Sequence, residues 1–490
     1  MNVCCIYSVD DYVSIEKPLH AFESLPFGLS YIASSLKHAG FDTKALVFTN
    51  DTNHVNVLRK YIQQYNPRLF CLTSVSSQYH LIVKIAKAIK LIDSLLTIIL
   101  GGPHASLNPS TVILEESFDA ICVSEGERAV VEYATQIKDK KTPSNIKNLW
   151  IRNRELKSIE KNGNEPFLQN LDLLPYIDRE IWQDWIADKS RMVSMLIGRG
   201  CPYKCTYCSN HALAKLSDSK YVRFRSTENI IGEIEEIIKK FPDIRRIYFQ
   251  AETISANLKY SFQLCDELRE FNSTLKEPLK FGANLTIRRA LAENDEFLLK
   301  LKSANFEFIS IGLESGSERV RKEILRRPKY TNEDIINFCK IASKVGIDVN
   351  LFVLVGLPGE TLTDFKETVK CTRACNPSHV HLSIFYPYPG TDLYDVTKEM
   401  NLLKEEVIDT QFERKKANLD LPGFPRMQIQ KEFILFYYNV YKGKMPYYKI
   451  GSRILRELIY LSPSLNALYG KVSDLQFVRP ILRRLSTFYK

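Results

Sequence analysis

Cys201, Cys205 and Cys208 lie close together in the run GRGCPYKCTYCSN, with the spacing C-x3-C-x2-C. The run is flanked by Gly198 and Gly200 and entered from an apolar stretch, Met192 to Ile197, that reads as a buried strand. A cubane iron–sulfur cluster needs four ligands, and thiolates are the usual ones. Three cysteines therefore leave one iron open to another molecule. The glycines are expected to let backbone amides approach the sulfurs. Two plainer readings compete: ordinary buried thiols, and a zinc knuckle that takes His211 as its fourth donor, since structural zinc closes a four-ligand shell.

Other residues suited to binding follow apolar runs further along. They are Gln250-Ala251-Glu252, Arg288, Glu314-Ser315-Gly316 and Gly356-Leu357-Pro358-Gly359. In the first part of the chain Ser74, Ser76, Ser77, Gly101, Gly102, His104, Glu125, Gly126 and Glu127 stand at equivalent places. Small residues there leave room for a large flat ligand. No G-x-G-x-x-G follows the first apolar run, which argues against a nicotinamide or flavin.

The elements that must carry these residues fall into four regions. Residues 1–135 alternate strands (Val3 to Tyr7, Thr43 to Phe48, Leu69 to Val75, Thr97 to Leu100, Ala120 to Val123) with helices, which predicts a doubly wound α/β unit with a parallel sheet. Such sheets bind ligands outside the carboxyl ends of their strands. Residues 136–188 read as a connector without a core of its own, with Trp182 and Trp185 packing it on a neighbour. Residues 189–395 read as six strands, each but the last followed by a helix: Met192 to Ile197, Ile244 to Phe249, Phe281 to Thr286, Phe306 to Leu313, Val349 to Val355 and Val380 to Phe385. That is a partial barrel, with its active residues at the carboxyl ends of the strands. Thr331 and Asp334 form an acidic capping box, and Ser226 precedes an isoleucine-rich helix face. Residues 396–490 read as helices over Met400 to Lys416, Ile429 to Tyr441 and Ile450 to Leu461.

Two resemblances attach to these residues. The cysteine run matches the C-x3-C-x-aromatic-C signature of the radical S-adenosylmethionine (SAM) enzymes, with Tyr207 as the aromatic. IGLESGS, VGLPGET and FYPYPGTDLY are similar to later strand-end motifs of that family. LPFGLSYIASSLKHAG, GGPHAS and FDAICVSEGE resemble the cobalamin-binding domain that precedes many radical SAM domains. The family usually has glycine where this chain has Ser124. The D-x-H-x-x-G motif, whose histidine ligates cobalt in classical cobalamin proteins, is absent. His104 is read as a loop histidine near the corrin, with cobalt ligation as the rival.

The resemblance implies a 4Fe–4S cluster on Cys201, Cys205 and Cys208, SAM on the open iron, and cobalamin over the first sheet. It also implies that Tyr207, Gln250, Glu252, Glu314, Ser315 and Gly356 serve the SAM side. Glu252 would hold the SAM amine and Glu314 the ribose, since a carboxylate accepts hydrogen bonds from either. A structural cap or salt bridge is the plainer reading of Glu314. Ser76, Ser77, Gly101, Gly102, His104, Glu125 and Gly126 would serve cobalamin. In this family the cluster and SAM yield a 5′-deoxyadenosyl radical, and methylating members pass a methyl group from methylcobalamin to an unactivated carbon. A one-electron donor such as a flavodoxin or ferredoxin is implied. A cyclase or oxidoreductase without methyl transfer has the same layout. A tRNA methylthiotransferase is the third reading. It would need three further cluster cysteines upstream and an RNA-binding β-domain, whereas Cys4, Cys5, Cys71 and Cys122 fall mainly on strands and the tail reads as helical.

Bulk properties bound the rest. The chain has 490 residues, 45% hydrophobic and 25% charged, and a formal charge of +10. These values suit a globular protein of two to four domains. The eleven cysteines are scattered and odd in number, which suggests a reducing compartment. MNVCCIYSVDD lacks the basic start of a signal peptide, so a cytoplasmic location is expected. The apolar run Leu81 to Leu100 is interrupted by Lys84, Lys87, Lys90 and Asp93 and cannot span a bilayer. From residue 441 onward ten basic residues face two acids. The tail reads as a cap over the barrel mouth; peripheral contact with an anionic membrane surface is the rival. A small-molecule or lipid-like substrate is expected, and no nucleic acid.

Overall fold

The computed structural model describes residues 1–10, 12–189, 192–403 and 413–461. A seven-stranded sheet fills the N-terminal part, in the order β2-β1-β3-β4-β5-β6-β7. Its strands are β1 (Asn2–Ser8), β2 (Asp42–Phe48), β3 (Leu69–Thr73), β4 (Thr97–Gly101), β5 (Ala120–Cys122), β6 (Leu149–Asn153) and β7 (Ser158–Lys161). The first five are parallel, as the strand–helix alternation predicts. Helices α1 (Phe27–His38), α2 (His54–Tyr65), α3 (Tyr79–Ile92) and α4 (Glu127–Lys138) cover its faces. Val3, Cys5 and Cys71 pack into one core and Cys4, Ile6 and Leu72 into another. The upstream cysteines are thus buried as small apolar residues.

The region 136–188, expected as a connector without a core of its own, contains two strands. β6 and β7 form a hairpin that continues the first sheet antiparallel to β5. The short run around Trp150 needs no core of its own because it borrows the edge of an existing one. Further on, Trp182 is fully buried against Tyr7, and the Trp185 indole donates to the Ala45 carbonyl at 3.2 Å. Arg179 then meets Glu233 at 2.7 Å, and Glu233 also holds Arg225. All three side chains are almost wholly enclosed.

The six expected barrel strands are all present, parallel and adjacent in chain order. They are β8 (Val193–Leu196), β11 (Arg246–Gln250), β12 (Lys280–Leu285), β13 (Phe306–Glu314), β14 (Asp348–Val355) and β15 (His379–Ile384). This is the order of an unclosed β/α barrel, with β8 and β15 as its edges. Between β8 and β11 a small hairpin pairs β9 (Gly198–Arg199) with β10 (Arg223–Phe224). The helices α5 (Thr227–Lys240), α6 (Leu258–Thr274), α7 (Glu296–Ser303), α8 (Asn332–Val345) and α9 (Leu362–Cys375) cover the outer face. Ser226 caps α5, and capping boxes start α8 at Thr331 and α9 at Thr361.

The tail was expected as helices capping the barrel mouth, and its described part lies along one flank of the barrel, with 462–490 outside the described residues. Residues 413–416 are turn and bend, not helix, and 404–412 lie outside the described residues. Helix α10 (Arg426–Tyr441) runs along the flank of edge strand β15, burying Ile429, Phe433, Phe436 and Val440. The Tyr437 hydroxyl donates to the Val380 carbonyl at 2.5 Å. The helix therefore stands where a sixth barrel helix would, because the open side of β15 offers apolar surface. Helix α11 (Tyr447–Leu461) packs on it. Arg453 lies 3.6 Å from the centroid of the Tyr437 ring, and Lys444 donates to the Arg373 carbonyl, so part of the basic charge serves the fold. Arg483 and Arg484 lie outside the described residues. Among the described residues no helix is long and apolar enough to cross a membrane.

Candidate functional site

The cysteine run leaves β8 at the carboxyl end of the barrel and is held on both sides. A Cβ on Gly198 would lie 2.7 Å from the Arg223 carbonyl oxygen. Gly200 has φ +87°, and a Cβ there would lie 2.2 Å from the Tyr221 oxygen. The glycines thus admit the neighbouring hairpin strand, and the backbone amides of Tyr203 and Asn210 reach the Cys201 and Cys208 sulfurs, as expected of this run. Thr206 ties the run to the barrel: its amide donates to Leu325 and its hydroxyl to Ile324, at 3.2 and 2.6 Å. Leu393 donates to the Thr206 carbonyl at 2.9 Å.

All three cysteines are free. Burial pushes the Cys201 thiol up to about 12 and the Cys208 thiol up to about 11, and raises Cys205 as well. Metal coordination removes such protons outright. Donors already face the sulfurs: the Asn210 side-chain Nδ2 is 3.8 Å from Cys208 and an Arg327 nitrogen 3.9 Å from Cys205. His211 is turned toward Asp392, at 3.4 Å. Among the described residues no three His, Cys, Asp or Glu side chains gather around a single metal position. A cubane spreads its thiolates over separate irons and does not need that gathering. Three unpaired thiols on one loop, with hydrogen-bond donors beside them, fit an iron–sulfur cluster with one open iron.

The strand-end residues divide into those that face this loop and those that do not. Glu252 is exposed, and its charge acts on both Cys201 and Cys208. Gln250 lies at the end of β11, where its carbonyl accepts from the Ile197 amide at 3.0 Å. Glu314 is buried at a register shift between β13 and β14, with φ +59°. Burial raises its carboxyl, opposed by Arg327 and by a hydrogen bond from Tyr207. The same Arg327 lies 3.1 Å from the Tyr207 hydroxyl and donates to the Gly312 carbonyl. Among the described residues its buried Nε has no partner. Ser315 does not face the loop. Its hydroxyl lies 3.2 Å from that of Thr368 and accepts from the Ser317 amide, so it holds the turn together. Gly356, expected to let a cofactor approach, has φ +81° and faces Ile429 of α10, which a Cβ would meet at 3.1 Å.

Sequence reasoning did not single out Arg327. It sits in the run Arg326-Arg327-Pro328, where two adjacent arginines give no sign which one turns inward. Arg326 adopts φ +49° and points to Asp392, and this leaves Arg327 for the barrel interior. Arg288 donates to the Ser255 carbonyl at 3.0 Å and also has a buried, unpartnered Nε.

Between the first sheet and the cysteine loop lies a cleft of about 570 Å³. Gly101, Gly102, Glu125, Gly126 and Cys122 line one side, and Gly200, Asn210, Tyr221 and Glu252 the other. Gly102 has φ +94°, and a Cβ there would meet the Ser74 carbonyl oxygen at 2.7 Å, so a larger residue could not keep this turn flat under the cleft. Ser124 takes φ +101°. His104, Ser76 and Ser77 are not on the cleft wall. The His104 ring lies tilted against Tyr79, with centroids 4.3 Å apart, and its Nδ1 is 3.0 Å from the Ser76 hydroxyl. Burial lowers it to about 4, so it stays neutral. A cleft whose lining includes glycine backbone and apolar side chains at the ends of the first sheet fits the flat face of a corrin ring.

One pair of acids differs in role from the expectation. Glu125 does not present a free carboxylate to the cleft. Arg199 reaches it at 3.0 Å and Arg223 at 2.9 Å, while Glu127 takes the other arm of Arg199. Burial opposes its ionisation, but the two guanidiniums outweigh that and hold the Glu125 carboxyl below its ordinary range.

Known proteins share this arrangement. Residues 195–372 match the radical SAM superfamily and residues 21–134 the B12 binding domain. An uncharacterised methyltransferase of Pyrococcus horikoshii is 24% identical over 423 residues, 84% of this chain and 87% of that one. The anaerobic magnesium-protoporphyrin IX monomethyl ester cyclase of Rubrivivax gelatinosus is 24% identical over 380 residues, 75% of this chain and 65% of that one. The radical SAM methyltransferase TsrM of Kitasatospora setae, solved with cobalamin and a [4Fe–4S] cluster, superposes with a TM-score of 0.67 at 15% identity over 89% of this chain and 90% of its own, a likeness of fold. With its thiol loop, its inter-domain cleft and both domain matches, the chain belongs to the radical SAM enzymes that carry an N-terminal cobalamin-binding domain, and its cofactors are a 4Fe–4S cluster, SAM and cobalamin.

Proposed function

We propose that the protein is a methyltransferase that alkylates an unactivated carbon of a small or lipid-like molecule. The observation that carries this reading is the single cleft in which the glycine-floored end of the first sheet faces the cysteine loop and Glu252. When bound, the cluster with SAM supplies a carbon-centred radical and cobalamin supplies a methyl group. The chain's share is orientation and exclusion of water. Cys201, Cys205 and Cys208 hold the cluster; Glu252 accepts from the SAM ammonium; Glu314 and Arg327, enclosed together, set the polar contacts on the far side of the loop. Gly101, Gly102 and Gly126 let the corrin lie flat. His104, held by Ser76 and Tyr79, stays off the cobalt. The substrate enters from the barrel side in the cytoplasm, with a flavodoxin- or ferredoxin-type donor.

A relative that is a cyclase supports a second reading, ring formation or oxidation without methyl transfer. SAM labelled in its methyl group separates the two. Label in the product is the expected result, and an unlabelled product would replace this reading with the second. The cluster assignment has its own check: Cys208→Ala should lose most bound iron and all SAM cleavage after anaerobic reconstitution. Iron retained at the wild-type level would remove Cys208 from the ligand set.

A further inference from the structure

Four charged side chains, Glu125, Glu127, Arg199 and Arg223, join the two halves of the cleft. Glu125 and Glu127 follow β5, at the floor of the cleft. Arg199 and Arg223 sit opposite each other in the β9–β10 hairpin. One Glu125 oxygen accepts from Arg199 at 3.0 Å and from Arg223 at 2.9 Å. The other accepts from Arg223 at 3.1 Å and from the Leu168 amide at 2.9 Å. Glu127 takes the remaining arm of Arg199. Arg223 also donates to the Leu168 carbonyl at 2.8 Å, and its side chain is only 3% exposed. The Tyr31 ring backs Arg199 and the Phe167 ring backs Arg223, at 5.1 and 5.0 Å.

The position of this network matters more than its strength. Gly126, between the two acids, is part of the cleft floor. Arg199 is joined through Gly200 alone to Cys201, and Gly200 is pinned against the Tyr221 carbonyl. The path from corrin floor to first thiol is therefore one ion pair and one fixed glycine. Buried, fork-shaped arginine–carboxylate pairs tolerate little displacement, because each displaced donor loses a partner in a poorly solvated place. Lysine would keep the charge and lose the fork.

We propose that Glu125, Glu127, Arg199 and Arg223 are positioning residues that set the separation between cobalamin and the cluster. They register the cysteine loop on the corrin-binding sheet, and no group of the four touches the substrate. The inference rests on the reading of the cleft as the corrin site.

The test uses the full-length protein loaded with cluster and cobalamin and reduced so that both carry an unpaired electron. Pulsed dipolar electron paramagnetic resonance then reads the cobalt–cluster distance. Wild type should give one narrow distribution. Arg223→Lys and Glu125→Gln should each broaden it at least twofold or shift its centre, with iron and cobalamin stoichiometry retained. Arg223→Lys keeps the charge balance, so it carries the test if Glu125→Gln fails to fold. A purely structural role predicts a lower melting temperature with an unchanged distribution, and that result would overturn the proposal. Failure of the wild type to bind cobalamin would overturn the reading of the cleft instead.

Discussion

The guanidinium of Arg327 stands 3.9 Å from the carboxylate of Glu314, with the two side chains only 8% and 11% exposed. The pair closes off the barrel interior beneath the cysteine loop, and it does so from a constrained backbone. Glu314 adopts φ +59° where β13 shifts register, a conformation that costs an L-residue about 1–2 kcal/mol. A strained, enclosed carboxylate with one cation and one tyrosine as partners is a group held in place by its surroundings. Arg327 touches Glu314, Tyr207 and Cys205 together, so it links an acid, the signature aromatic and a thiol.

Arg327→Gln is expected to weaken SAM binding at least tenfold in the reconstituted protein and to lower stability by roughly 3 kcal/mol, since it leaves a buried carboxylate without its cation. Anaerobic titration calorimetry with SAM and urea unfolding measure the two effects separately. Loss of stability with SAM affinity intact would make Arg327 a structural residue.

Ser124 is the site of a stabilising change. It takes φ +101° in its turn, and among the described residues its buried hydroxyl has no partner. Ser124→Gly removes the strain and the unsatisfied oxygen at the cost of some chain entropy. A net gain of about 1 kcal/mol is expected. Urea unfolding measures it, and a loss of stability would show that the Ser106 hydroxyl, 3.1 Å from the Ser124 amide, depends on the serine conformation.

The elements were legible where local sequence carries the cause. Thr331 with Asp334 is a capping box in any context, and both halves of it form. Each barrel strand is an apolar run of fitting length, and all are paired as parallel neighbours. The site was legible only in part, because a motif gives a residue's position in the chain and not the direction of its side chain. His104 follows the Gly101-Gly102 turn as expected, but Tyr79 from α3 draws its ring away from the cleft. Glu125 lines the cleft, but its arginine partners come from a strand pair 74 and 98 residues later. Ser315 is next to Glu314, yet Thr368 on α9 claims its hydroxyl. Helix α10 was read as a helix, but its place beside β15 follows from an open barrel edge that no local pattern announces.

Glu360 gives the fold a pH dependence of known sign. It follows the turn that carries Gly356 and is fully buried. One of its oxygens accepts from the Gly356 and Leu357 amides at 2.7 and 3.1 Å; the other is buried and has no partner among the described residues. Burial pushes its carboxyl up to about 8, nearby Asp364 adds to the rise, and the two amides and Arg319 oppose it. An unfolded glutamate ionises near 4.3. Below that value both states are protonated and the stabilising contribution is complete. Between that value and about 8 the unfolded chain releases a proton that the folded chain keeps, so stability falls as pH rises. The fall from this one group should be on the order of a few kcal/mol. Glu360→Gln keeps an oxygen for the two amides and cannot ionise, but it buries an amide nitrogen whose lost hydrogen bonds cost about 1–3 kcal/mol. The variant should therefore be less stable than wild type at pH 5 and more stable at pH 9, with the two curves crossing between. Urea midpoints at pH 5, 7 and 9 decide it; parallel curves would mean that Glu360 is already ionised in the folded protein.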